Sequence, residues 1–397
     1  MTAPSDAMGP PRLSLAALFL KFLRFGMLAF GGPVAQIAMI RHTLVDDERW
    51  LSSPRFNRLL AVMQVLPGPE AHELCVHMGM MARGRIGGLL AGLGFMMPGF
   101  VLMLAAAWLY ERFIAGQSGL TGLLLGVQIV VVAIIIRAVH RIGSHVLEDR
   151  LLWALAIGAF AAALLHAPFW IPLLACGLIY ALDQRPWVGA AIAVAAVIAA
   201  ILFGIHLEVA PPAVAISAEP SPQLAALFVA GLKGGLLTFG GAYTAIPYVR
   251  ADTVGRGWLP DGVFLDGVAL AGVLPAPLVI FGTFTGYIVG GWAGALAVTA
   301  GIFLPAFAFS MVLFNHLEAV VENPALHRLM AGVAAAVVGV IAATSLQLAW
   351  TTAHSVPSLG IAGLIFAGAL IAAWTLKPRW MPLLILGGAA AGRFALS

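Results

Sequence analysis

Apolar residues in this chain come in long unbroken blocks rather than in alternation. Such blocks cover 13–40, 56–81, 86–114, 119–140, 187–206, 224–249, 263–289, 291–315, 328–350, 356–376 and 380–396. The stretch 150–182 holds two shorter runs divided by His166, Pro168 and Pro172. A helix that spans a bilayer needs about 20 apolar residues. Open strands cannot cross lipid, so the runs predict helices, roughly twelve or thirteen of them. Long polar connections occur only at 41–55, 141–150, 207–223 and 250–262. Segment 207–223 is rich in Pro, Ala and Ser and reads as a linker. It divides the chain into a first unit, 1–206, and a second, 224–397.

Composition narrows this further. Of 397 residues, 61% are apolar and 10% charged. A soluble domain carries about a quarter of charged residues. Mean hydropathy is +1.00. So little polar surface cannot cover a fold in water. A soluble enzyme, a disordered chain and a nucleic-acid binder are therefore excluded, despite a pI near 9.4. The excess of 21 Lys+Arg over 17 Asp+Glu suits the basic loop ends of an integral membrane protein bathed in lipid. Cys75 and Cys176 lie in apolar stretches and read as small buried hydrophobes. The first run carries Lys21 and Arg24, so it reads as a membrane element and not as a cleavable signal.

The chain repeats itself. Phe30-Gly31-Gly32 matches Phe239-Gly240-Gly241, and at the same offset Arg24 matches Lys233 and Arg41 matches Arg250. After one deletion Trp50 matches Trp258, Phe56 matches Phe264, and Leu66-Pro67-x-Pro69 matches Leu274-Pro275-x-Pro277. Further on, Gly87 and Pro98 match Gly294 and Pro305. Ordered matches of Gly, Pro, Trp and Arg rarely arise by chance. The expected fold is thus an all-α polytopic membrane protein of two homologous halves. Substrate sits between such halves in secondary transporters. An odd number of crossings in the first half would make the repeats inverted, which is the favoured arrangement.

The candidate chemistry lies where the helices break. Gly31-Gly32-Pro33 interrupts the run 13–40, and Pro67-Gly68-Pro69 interrupts 56–81. The second half breaks at Gly240-Gly241 and at Pro275-Ala276-Pro277. Proline removes a backbone donor and stops a helix, yet suits the first position of the next. Paired breaks in two halves point to a transporter's binding site. A half-helix starting there presents free N–H groups and a positive dipole end, which suits an anion. Close helix packing through small residues is the competing reading. Basic residues Arg41, Arg49, Arg55 and Arg58 at or before the start of the run 56–81, and Arg83 and Arg85 after it, fit a re-entrant hairpin turning at Pro67-Gly68-Pro69.

Charges within membrane segments are costly and often functional. Arg24 and Lys233 precede the two Phe-Gly-Gly segments equivalently and could attract an anion, or could snorkel to the interface. Arg41 and Arg250 follow them and could instead complement helix C-termini. Arg58 aligns with Asp266, an opposite charge that could bridge to it. Arg137 reads as an interface anchor. Glu70, Glu73 and His77 share one helix face. Glu70 and Glu73 are candidates for carrying protons, with helix capping as the alternative for Glu70. Asp266 joins them as a third proton-coupling candidate.

An enzyme is not expected. His72-Glu73-x-x-x-His77 has one residue too many for the zincin motif, which needs its histidines four apart. Gly84-Arg85-Ile86-Gly87-Gly88 lacks the Lys-Ser/Thr of a phosphate loop. No cofactor or metal is expected.

The two Phe-Gly-Gly segments, each followed by Arg, Trp-Leu and Leu-Pro-x-Pro, resemble the chromate ion transporter family, in its long-chain form. The resemblance covers nearly the whole chain, most strongly 20–100 and 230–310. It implies a bacterial cytoplasmic-membrane protein that exports chromate, a tetrahedral dianion similar to sulfate. The family positions are Phe30, Gly31, Gly32, Pro33, Arg41, Trp50, Leu66, Pro67, Gly68 and Pro69, with their counterparts in the second half. There are departures. Many members carry His where this chain has Gln36. Ser-rich segments with Gln stand where it has Glu70-Ala71-His72-Glu73. Two carboxylates beside a dianion would repel it, so they either take up protons with transport or face away.

The resulting expectation is a secondary transporter that exports an oxyanion by alternating access. The candidate substrate-binding set is Arg24, Phe30, Gly31, Gly32, Pro33, Gln36, Arg41, Pro67, Gly68 and Pro69. In the second half it is Lys233, Phe239, Gly240, Gly241, Tyr243, Thr244, Arg250, Pro275 and Pro277. Transport of sulfate or another anion, an anion channel, and a membrane scaffold or sensor are the alternatives. A homodimer is one assembly open to such a chain.

Overall fold

The computed structural model describes residues 9–30, 32–207, 223–239, 241–312, 314, 324–377 and 380–396. Gly31, Gly240 and nearly all of the linker 207–223 lie outside the described residues. Among the described residues there are helices and no strand. The first half contributes α1 (Leu15–Met27), α2 (Gly32–Arg41), α3 (Ser53–Val65), α4 (Glu70–Phe113), α5 (Thr121–Val146), α6 (Arg150–Leu164), α7 (Trp170–Ala181) and α8 (Pro186–Leu207). The second contributes α9 (Leu224–Leu236), α10 (Ile246–Thr253), α11 (Asp261–Val273), α12 (Phe281–Val312), α13 (Pro324–Ser355), α14 (Leu359–Thr375) and α15 (Met381–Ala395).

The protein is a polytopic membrane protein. Glu70–Phe113, Thr121–Val146, Leu278–Val312 and Ala325–Ser355 are long and apolar enough to cross a membrane. Large apolar side chains such as Trp187, Trp350, Leu364 and Phe394 stand exposed on the outside. Water would not tolerate so much exposed apolar surface on a monomer, and lipid does.

The duplication is written into the backbone. α4 leaves helical geometry at Arg83 and Gly84, where Gly84 has φ 61° and ψ −155°. α12 does the same at Gly290 and Gly291, where Gly291 has φ 60° and ψ −152°. Only glycine takes that backbone without strain. At each point the helix doubles back. Gly79 then meets the Gly87 carbonyl, and Gly286 meets that of Gly294, so closely that neither site has room for a Cβ. The boundaries between the apolar runs 56–81 and 86–114, and between 263–289 and 291–315, fall at these turns.

The Leu-Pro-x-Pro segments also reverse the chain. Phe264 on α11 and Phe281 on α12 lie ring to ring at 5.5 Å. A straight helix would part them by about 25 Å. In the first half, Phe56 and Met63 of α3 share one apolar cluster with Leu74 and Met78 of α4.

The halves are interleaved. α1 packs on α4, and α9 on α12, as equivalent pairs. The long helix α5, however, packs against α11, α13, α14 and α15, all from the second half. In return α13 packs against α6 and α7 of the first.

Candidate functional site

The first Phe-Gly-Gly break follows α1. Leu28 N–H bonds back to the Arg24 and Phe25 carbonyls at 3.2 and 3.1 Å. The helix resumes as α2 at Gly32, with φ 78°. Gln36 then turns back from α2. Its Nε2 donates to the Ala29 carbonyl at 2.9 Å and to the Ala276 carbonyl at 3.0 Å. Ala276 sits between the two prolines of the second Leu-Pro-x-Pro, so Gln36 ties the break of one half to that of the other.

The second break is closed by a hydroxyl. The Phe239 N–H donates to Thr244 Oγ1 at 3.0 Å, and Thr244 Oγ1 donates to the Gly241 carbonyl at 2.7 Å. A 3-10 turn, Ala242–Ala245, then leads into α10. Here the first Leu-Pro-x-Pro makes the cross-repeat contact. The Gly68 N–H donates to the Thr238 carbonyl at 2.8 Å. The approach is reciprocal, since Gly68 faces Ala306 of α12 and Gly99 of α4 faces Ala276. Thus each Phe-Gly-Gly break meets the Leu-Pro-x-Pro of the opposite half. Pro67, Gly68, Pro69, Gln36, Thr244, Pro275 and Pro277 are brought to one junction, with Tyr243 half-buried beside it.

The carboxylates Glu70 and Glu73 occupy the first turn of α4 and complement its positive end. Glu73 is fully buried. Its carboxylate lies against Gly68, and neither oxygen has a hydrogen-bond partner among the described residues. Such a group is costly to leave charged in an apolar interior. The second half carries Leu278 and Phe281 at the equivalent places, so the two α-helical N-termini are chemically unlike. Buried His72 sits among Phe95, Phe303 and Phe307, with ring centroids 6.4, 4.9 and 4.7 Å away. It was not a candidate on sequence, because only the packing of α12 on α4 creates its aromatic surroundings.

The cations matched between the repeats differ in their surroundings. Arg24 is exposed on the last turn of α1, and Phe30 is exposed while its counterpart Phe239 is buried. Pro33 is half-buried in the first turn of α2. Lys233 pairs with Asp252 at 2.9 Å. Arg250 holds Asp261 with two nitrogens, at 2.6 and 2.8 Å, and Gln347 of α13 at 3.1 Å. Arg41 reaches Asn57 at 3.4 Å and lies over the Phe56 ring. Asp266 of α11 accepts from Tyr110 Oη at 2.7 Å and Gln128 Nε2 at 3.0 Å. Arg58 is exposed and forms no ion pair with it among the described residues.

Sequence comparison adds the deciding observation. The family model described as Chromate transporter matches residues 16–219 and again 225–393, once on each half. The chain belongs to the chromate transporter family. Within the family it is 55% identical to a chromate transport protein of Pseudomonas aeruginosa, over 98% of this chain and 94% of that protein. It is 29% identical to a chromate transport protein of Cupriavidus metallidurans, over 99% and 96% of the two. No solved structure matches the chain. The two stretches matched by the family model are the halves whose breaks meet at the junction.

Proposed function

We propose that the protein exports chromate across the bacterial cytoplasmic membrane by alternating access, with protons moving through Glu70 and Glu73. The observation that carries this reading is the junction itself. Both halves bring their broken helices to one place between the repeats, which is where secondary transporters hold substrate. The N-terminal turns of α2 and of the segment that begins at Ala242 offer N–H groups to an oxyanion. The chromate assignment is supported by the names of the two relatives, and the export direction by the family resemblance.

The halves would take inverted orientations and rock about the junction. The Gly68–Thr238 bond and the Gln36 bridge are few and polar, which suits contacts that break and reform between states. Buried Glu73 offers the site for a proton, since a charged carboxylate without partners is unfavourable there. Its neutralisation also removes repulsion toward a dianion.

The test is chromate flux in proteoliposomes under an imposed pH gradient, with sulfate as competitor. Saturable chromate flux that follows the gradient supports the reading. Flux of sulfate alone would keep the architecture and overturn the substrate. Chromate flux indifferent to the gradient would remove the proton coupling.

A further inference from the structure

The first arm of α4 holds ionisable groups beyond its two carboxylates. Residues 70–80 are all buried, and among them stand Glu70, His72, Glu73 and His77. The matching arm of the second half, 278–287, is equally buried, yet it carries no carboxylate and no imidazole. The duplicated fold therefore does not require these groups. Ionisable side chains inside a membrane are costly, and they mark function.

The two histidines occupy different faces of the arm. At about 100° per residue, Glu70, Glu73 and His77 fall within a stripe of about 60°, whereas His72 is turned by at least about 100° from each of them. His72 is fully buried and closed in by the Phe95, Phe303 and Phe307 rings. His77 is less enclosed. Its ring lies against Phe314, with centroids 4.6 Å apart, and it keeps 7% of its surface accessible. Its Nδ1 is buried and has no hydrogen-bond partner among the described residues.

His77 also stands between Glu73 and water. Glu73 lies four residues, or about 6 Å, further in along the helix axis, and side chains at that spacing are surface neighbours. In the other direction the arm ends about 10 Å on, at the Gly84 turn. There Arg83, Gly84 and Arg85 are exposed. His77 is the only imidazole or carboxylate in the sequence between Glu73 and that turn. The stripe is not tied up from outside. From α12, Ser310 Oγ donates to the Glu73 main-chain carbonyl at 3.4 Å, and both carboxylate oxygens stay without partners among the described residues. Arg55, exposed at the start of α3, bears on His77 through its charge, as Glu70 does on Glu73.

We propose that His77 relays protons between Glu73 and the water at the Gly84 turn. This rests on Glu73 being the proton site, and it names the route by which that site is loaded and emptied. In the emptying step, Nδ1 of the neutral ring accepts the proton from the Glu73 carboxyl, directly or across one water. Nε2 of the imidazolium then releases its own proton to water, and a flip of the ring restores the first tautomer. Glu73 is left as the carboxylate, and loading runs the same steps in reverse. His72, on the other face, takes no part.

The experiment compares two modes of chromate flux in proteoliposomes, one driven by a pH gradient and one an exchange of labelled for unlabelled chromate at equal pH. The proteins are the wild type, His77→Gln, His77→Glu and His72→Leu, each shown to be folded by thermal unfolding in detergent. His77→Gln should slow gradient-driven flux about tenfold or more, the scale of a lost proton-transfer group. Exchange needs no net proton movement and should be nearly unchanged. His77→Glu can still carry a proton and should restore part of the gradient-driven rate, which a purely structural role for His77 does not predict. His72→Leu should keep the wild-type ratio of the two modes. Should the wild type move only sulfate, the same comparison is made with sulfate. A folded His77→Gln that keeps the wild-type ratio would overturn the relay while leaving proton coupling intact, as would equal loss of both modes, or His77→Glu no better than His77→Gln. Loss of the gradient response in His72→Leu would show that the effect is not specific to the stripe and would also overturn it. A wild type indifferent to the gradient would overturn the coupling and the relay together.

Discussion

The main-chain N–H of Gly68 donates to the Thr238 carbonyl at 2.8 Å, whereas Ala29, the counterpart of Thr238, reaches Ala276 only through the amide of Gln36. The two halves are therefore joined directly on one side of the pseudo-twofold and by an inserted side chain on the other. Gln36→Leu should strip both carbonyls of their donor and cost about 1–3 kcal/mol of stability. Thermal unfolding in detergent reads that loss, and an unchanged unfolding temperature would show that the bridge holds nothing.

Glu73 gives a sharper functional prediction. Glu73→Gln keeps the shape beside Gly68 and cannot release a proton. Chromate flux should then no longer follow an imposed pH gradient, although downhill chromate exchange should persist. The measurement is flux with and without the gradient, and retained gradient dependence would remove Glu73 from the proton route.

The matched turns allow a paired test of the duplication. Gly84→Ala and Gly291→Ala each place a Cβ on a left-handed backbone and should each cost about 1–2 kcal/mol. Gly158, within α6 with open space around it, should instead gain about 0.5–1 kcal/mol when changed to Ala. Unfolding curves of the three variants decide this, and losses that differ widely between the first two would show that the turns are not equivalent.

Arg250 should prove structural. Its fork is taken by Asp261, and its remaining nitrogen by Gln347. A double-mutant cycle of Arg250→Ala and Asp261→Ala should show coupling of about 0.5–3 kcal/mol. Variants that still fold should keep the wild-type KM for chromate. A raised KM in Asp261→Ala would mean that Arg250 serves the anion after all.

Much of this architecture was legible along the chain because its signals are local. Gly and Pro mark broken helices wherever they stand, so the Phe-Gly-Gly and Leu-Pro-x-Pro segments and the repeat were visible without any contact. The runs ended at 81 and 289, close to the turns at Gly84 and Gly291. What stayed hidden depends on distance in space. Nothing near Gln36 announces Ala276, and nothing near Asp266 announces Tyr110 and Gln128, which arrive from two helices of the other half.

The path of α5 has a consequence for biosynthesis. When α5 leaves the ribosome, none of the four helices that it will lie against has yet been made, and α6 and α7 likewise wait for α13. The first half can enter the bilayer in order but cannot reach its final packing until the last helix, α15, is in place. Membrane insertion and tertiary assembly are therefore separated in time. A chain cut at the linker should require both pieces to be made in the same cell before either resists proteolysis.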